Sequence, residues 1–162
     1  MAKNADKNSE KTNVMRLLDQ AGVPYAPHWY DPELTSGPAV AEALGQSGEN
    51  LFKTLVTASD KGEHFVFVIP AESTLSLKKA ARAAGAKSIA MLRQKDLLPL
   101  TGYVHGGCSP IGMKKPFPTF IDETALISDA FFCSAGRRGA QIQLDAQALA
   151  EYTGAQFADL TE

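Results

Sequence analysis

Much that would reveal the chemistry of this chain at a glance is missing from it. It holds only two cysteines, Cys108 and Cys133, with no CxxC pair. That leaves out a thioredoxin-type redox motif, a zinc ribbon and a disulfide-stapled scaffold, and fits reduced thiols in the cytoplasm. The patterns GxxxxGK(S/T) and GxGxxG are both absent, so there is neither a Walker phosphate loop nor a dinucleotide fingerprint. Long apolar runs are lacking: the most apolar stretch, HFVFVIP at 64–70, is far shorter than the roughly 20 residues of a membrane span. There is no excess of positive charge either. The 16 Lys and Arg against 18 Asp and Glu give a net charge of −2, so any polyanion has to be met by a local basic patch. The opening MAKNADKNSEK is polar and has no apolar signal core; residues 1–11 are expected to be a disordered lead.

What is present suits one domain over residues 12–162, since domains run at roughly 100–200 residues. The composition is 44% hydrophobic, with 8 Phe, 4 Tyr and one Trp for a core. Thr12 is placed to cap a helix that carries Val14, Leu17 and Leu18 and stops at Gly22. The prolines at 24 and 27 make Pro24 to Tyr30 extended. Ser36 caps a short helix that ends at Gly45. LFKTLVTAS and HFVFVIP flank Asp60-Lys61-Gly62 and predict a hairpin. Further helices are expected for LKKAARAAG after Ser76, for RQKDLLPL, and for AQALAEY after Asp145; further strands are expected at SIAML, PTFID, AFFCSA and QIQL, with AGRRGA as a turn. So irregular an alternation, with a hairpin, argues for an α/β domain on a curled mixed sheet and against a doubly wound parallel fold.

Candidate chemistry concentrates in few places. Lys53 lies in an apolar strand with no acid beside it in sequence. It is either an edge lysine reaching for water or a cation held at a cleft wall to meet an anion or a polarised carbonyl. The loop TGYVHGGCSPIGMKKP, 101–116, admits several readings. His105 and Cys108 pair as base and nucleophile if their geometry is fixed, although Gly106-Gly107 does little to fix it. HxxC with His28, His64 or Cys133 has no metal-motif spacing. The two glycines allow a backbone cradle whose N–H groups meet one oxygen, as acyl transfer requires. A plain turn is the remaining reading. Lys114-Lys115 and Arg137-Arg138 are turn pairs that would contact phosphates if both flank one cleft.

LFKTLV, TGYVHGGCSPIGMKK and SAGRRG, in that order, together with HWYDP and LKKAARAAGAK, resemble the YbaK/ProRS-associated domain family over about Val14 to Leu160. That resemblance implies a single α/β domain with a curled, largely antiparallel mixed sheet and surrounding helices. It implies an aminoacyl-tRNA deacylase acting in trans, needing no cofactor or metal, in the branch that clears cysteine from tRNA(Pro). Aminoacyl-tRNA and a prolyl-tRNA synthetase are the implied partners. The family's critical lysine falls on Lys53 and its glycines on Gly106 and Gly107. Substrate contacts fall on Tyr30, Thr54, Cys108, Ser109, Ser134 and Gln141. In the implied chemistry the substrate's own thiol attacks the ester. Relatives carry an aliphatic residue in place of Cys108, which makes it a packing residue. The family commonly has an acid where this chain has Gln141, and an aliphatic residue where it has His105. Gln141 keeps open a binding module without catalysis as the alternative. A hydrolase that uses the Cys108 thiol is a third.

Overall fold

The computed structural model describes residues 10–162. Residues 1–9 of the expected lead lie outside the described residues; of its last two, Lys11 is paired with Asp19 at 2.6 Å. The elements in chain order are α1 (Asn13–Ala21), β1 (Ala26–Trp29), α2 (Gly37–Ala43), β2 (Phe52–Ser59), β3 (His64–Pro70), α3 (Leu77–Ala84), β4 (Ile89–Met91), α4 (Gln94–Thr101), β5 (Thr119–Asp122), β6 (Phe132–Ser134), β7 (Ala140–Gln143), α5 (Ala146–Thr153) and β8 (Gln156–Ala158). Two short 3-10 turns, Gly48–Asn50 and Glu123–Leu126, have no counterpart in the sequence reading.

Helix starts follow side-chain chemistry. Thr12, Ser36, Ser76 and Asp145 each accept a hydrogen bond from a first-turn amide, which satisfies donors that a helix cannot satisfy by itself. β2 and β3 form the expected hairpin, with Phe52 opposite Pro70 and Ala58 opposite His64.

The strands divide into two open sheets. One has the order β4-β2-β3-β5-β8, the other β1-β7-β6. Pairing is antiparallel except for β3–β5 and β5–β8, which are parallel. Among the described residues an isolated bridge, Leu51 to Phe132, joins the two sheets. The mixed, largely antiparallel sheet foreseen from the sequence is therefore split in two, with helices around it.

HFVFVIP is buried without alternation because β3 is central and covered on both faces. Val68 joins Phe52 and Ile121 in the core under α1 and α5. Phe67 and Ile69 pack with Ala80 and Leu160 on the side of α3. Among the described residues, no helix is long and apolar enough to cross a membrane.

Candidate active site

β2 is paired unevenly. β3 accompanies it from Phe52 to Ala58, but β4 pairs only with Thr57 to Ser59. The first half of β2 therefore has one flank without a partner strand, and Lys53 and Thr54 lie there. The hairpin turn between β6 and β7 and the loop after α4 approach this flank.

Three contacts hold those segments together. The Tyr30 amide donates to the Gly139 carbonyl at 3.0 Å, tying the end of β1 to the turn. Arg138 Nε donates to the His105 carbonyl at 3.0 Å, tying the turn to the loop. Gly107 lies flat against the turn: a Cβ there would sit 2.9 Å from Arg137 Cα and 3.0 Å from the Arg138 amide nitrogen. Only glycine permits that approach. The loop is also braced from within. The Lys114 amide donates to the Thr101 carbonyl at 3.0 Å, and the Tyr103 hydroxyl donates to the Ile111 carbonyl. Burial pushes the Tyr103 hydroxyl up to about 12, so it stays a donor.

The result is a cavity of about 320 Å³ whose wall includes Tyr30, Lys53, Thr54, Gly106, Cys108, Ser134, Arg138 and Gln141. Eight of the expected residues thus meet in one place, although they come from four separate stretches of chain. Leu34, Val40 and Leu97 give the cavity an apolar wall, and Ser36 and His105 also line it. Of these, His105 was read in the sequence as a candidate base for Cys108 and as a departure from the family's aliphatic residue. The others had no signal beyond ordinary hydrophobic or capping patterns. A larger hollow of about 720 Å³ lies between β1, the second 3-10 turn and the start of α5, and holds none of the expected residues.

The electrostatics of the smaller cavity are one-sided. Lys53 and Arg138 line it, and no Asp or Glu does. Among the described residues Lys53 has no ion pair or hydrogen bond, and burial lowers its pKa from 10.5. Removing a cation from water without compensation sharpens its interaction with any negative charge that arrives.

Other expected residues are placed differently. Ser109 is completely buried and its hydroxyl accepts from the Ile111 amide at 3.3 Å; enclosed in this way it shapes the loop and has no surface to offer a substrate. Gly107 donates its amide to the Val104 carbonyl at 3.0 Å, so the pair of free glycine amides expected of the cradle is reduced to that of Gly106. The basic pairs separate. Arg138 is in the cavity, while Arg137 stacks its guanidinium 5.4 Å from the centroid of the Trp29 ring. Lys114 lies over Gly102 and reaches the Pro99 carbonyl at 3.5 Å, and Lys115 borders a hollow beside Phe117 and Tyr152. Cys108 is 8% exposed and packs with Val56 and Val66; burial pushes its thiol up to about 12. Such a group is not a thiolate at neutral pH and is a poor nucleophile. Among the described residues, no three His, Cys, Asp or Glu side chains gather as a metal site would need.

Against known proteins, residues 31–152 match the family described as the aminoacyl-tRNA editing domain. The chain is 48% identical over 158 residues, 96% of each protein, to EbsC of Enterococcus faecalis, by name a candidate Cys-tRNA(Pro)/Cys-tRNA(Cys) deacylase. It is 28% identical over 108 residues to a proline–tRNA ligase of Shouchella clausii, covering 19% of that enzyme. Among solved structures it superposes with a TM-score of 0.82 and 26% identity on a candidate trans-editing enzyme for prolyl-tRNA synthetase, covering 95% of this chain and 99% of the other. With a fold match across the whole domain and a family match over most of it, the chain belongs to the aminoacyl-tRNA editing domain family.

Proposed function

We propose that this protein is a trans-acting aminoacyl-tRNA deacylase that removes cysteine from tRNA(Pro). The observation that carries the reading is a cavity with an unpaired, partly desolvated lysine, a glycine amide and a cysteine whose buried thiol is a poor nucleophile. Such a site binds and polarises an ester whose attacking group comes with the substrate. The name of the Enterococcus relative supports cysteine as the amino acid, and the likeness to part of a proline–tRNA ligase supports tRNA(Pro).

In this reading the acylated terminal adenosine enters beside β2. The substrate thiol passes its proton to water, which later returns one to the ribose oxygen, and its sulfur attacks the ester carbonyl carbon. Negative charge builds on the carbonyl oxygen, where Lys53 and the Gly106 amide stabilise it. The carbon–oxygen bond to the ribose then breaks, the ribose oxygen takes up a proton, and cysteine leaves as a cyclic thiolactone. Holding thiol and carbonyl in contact supplies the remaining advantage. Tyr30, Ser134 and Gln141 shape the amino-acid end. Arg138 offers a phosphate contact at the mouth, and a prolyl-tRNA synthetase is the natural source of the mischarged tRNA.

The test is loss of the aminoacyl group from Cys-, Ala- and Ser-tRNA(Pro) with wild type and Lys53→Ala in parallel. Selective loss of cysteine, reduced about 100-fold or more in the variant with the fold retained, is expected. Undiminished activity in Lys53→Ala would sink the role given to that residue. One observation favours a second reading, a binding module without catalysis: no carboxylate lines the cavity to move a proton. Tight binding of an amide-linked aminoacyl adenosine, with no release of any of the three amino acids, would establish it.

A further inference from the structure

The deacylase reading hands the thiol proton to water and names no side chain that holds it. The proton must leave before the sulfur attacks, and one is needed again when the ester breaks. No carboxylate lines the cavity, and the Cys108 thiol, pushed up to about 12, keeps its own proton. Among unperturbed side chains only histidine exchanges a proton between pH 5 and 8. Of the three histidines in the chain, His105 is the one that lines the cavity.

The other two histidines are engaged in the fold. His28 Nε2 is bonded with Gln143 Oε1 at 3.0 Å, and its ring packs 4.9 Å from that of Phe132. His64 meets the Phe117 ring edge-on at 5.6 Å. The His105 imidazole, by contrast, has no hydrogen bond, ion pair or ring contact among the described residues. The residue is exposed as well as lining the cavity, so water reaches a ring whose two nitrogens are both uncommitted.

The backbone fixes where that ring stands. The Gly107 amide closes a four-residue turn on the Val104 carbonyl at 3.0 Å. Gly106 has φ of 86°, and no residue other than glycine has a positive φ. A positive φ at the third position alone is a type II turn, with His105 at its second position. Arg138 Nε holds the His105 carbonyl at 3.0 Å, which pins this corner to the β6–β7 turn. Beside His105 the cavity wall carries Lys53 from β2, Tyr30 from the end of β1, Arg138 from the β6–β7 turn and Cys108 from its own loop.

We infer that His105 is the proton-handling group of this site: through one water its imidazole takes the proton of the substrate thiol and later returns it to the ribose oxygen. The inference rests on the deacylase reading above and names the group to which that water hands its proton. As the sulfur–carbon bond forms, the proton passes to a ring nitrogen. As the carbon–oxygen bond to the ribose breaks, the imidazolium gives it back by the same water. The histidine ends neutral, and no other co-reactant is consumed.

The experiment follows single-turnover deacylation of cysteinyl- and selenocysteinyl-tRNA(Pro) by wild type, His105→Gln and His105→Ala. A selenol is largely ionised at neutral pH, so its attack needs no base. On the cysteinyl substrate His105→Gln should lose roughly 100-fold at neutral pH; on the selenocysteinyl one most of that loss should vanish. With cysteine, the wild-type rate should rise and then level within pH 5–8, the range in which histidine gives up its proton. The His105→Gln rate should go on rising through that range as the substrate thiol ionises. Free imidazole should restore part of the His105→Ala rate in proportion to its concentration. Both variants should melt with wild type, because the ring they lose bonds to nothing. A His105→Gln loss of equal size on both substrates overturns the proposal, and so does a variant whose rate and pH profile match wild type; either result leaves the deacylase reading standing. If wild type releases no cysteine, the deacylase reading falls and the role of His105 falls with it.

Discussion

Lys53 carries its cost in the folded state. Burial lowers its pKa from 10.5, so the folded protein resists its protonation more than the unfolded chain does. Below the folded pKa the lysine is charged in both states and the penalty is complete; the penalty fades as pH rises toward 10.5. Lys53→Met should therefore melt above wild type at neutral pH, with the difference shrinking toward pH 10.5, in parallel thermal melts. A lysine kept at this expense belongs to a binding surface more than to a core. Cys108 is its converse: Cys108→Ala should keep deacylation within a fewfold of wild type and lose about 1 kcal/mol of stability for the smaller side chain, as steady-state rates and denaturant unfolding would show. Lys53 and the glycines were legible through their resemblance to a family. The inward turn of Ser109 toward the Ile111 amide was not legible, because a motif does not tell which of its side chains turn inward. That Gln141 Oε1 and Thr54 Oγ1 are enclosed without a hydrogen-bond partner among the described residues was beyond the sequence altogether, since a missing partner is a three-dimensional fact.

The elements were the most legible scale. Thr12, Ser36, Ser76 and Asp145 were each identified as caps and each is one; the DKG hairpin follows for the same reason, that the determining groups lie a few residues apart. Pairings between distant segments were not readable. Nothing local in HFVFVIP or PTFID specifies that β3 and β5 run parallel, or that β1, β6 and β7 leave to form a sheet of their own. The most sensitive junction is where the loop after α4 meets the β6–β7 turn. Gly107→Ala would drive a methyl into Arg137 and Arg138 backbone, and either the loop or the turn must yield. The expected result is about 1–3 kcal/mol of lost stability together with a large fall in kcat/KM, measured by denaturant unfolding and deacylation assays. A variant that keeps wild-type stability and activity would show that this close approach is dispensable.

Over the whole molecule, a net charge of −2 supplies no general attraction for tRNA, and the cations on the cavity wall are few. With Arg138 as the phosphate contact proposed above, kcat/KM should fall with salt at a log–log slope of roughly −0.7, the value for one contact on a single-stranded end. A steep slope of many units would reveal a basic surface away from the cavity. Adding prolyl-tRNA synthetase should raise the rate at limiting tRNA if the two proteins share their substrate. The fastening of Arg138 to the His105 carbonyl also has a bearing on timing during synthesis. The lysine strand and the glycine loop leave the ribosome well before the hairpin that completes the cavity. A half-made chain thus has its cation but lacks Arg138 to pin the loop and the Gln141 side of the cavity wall. A chain that ends before the β6–β7 hairpin should therefore show no deacylation, and activity should arise only when that hairpin is added.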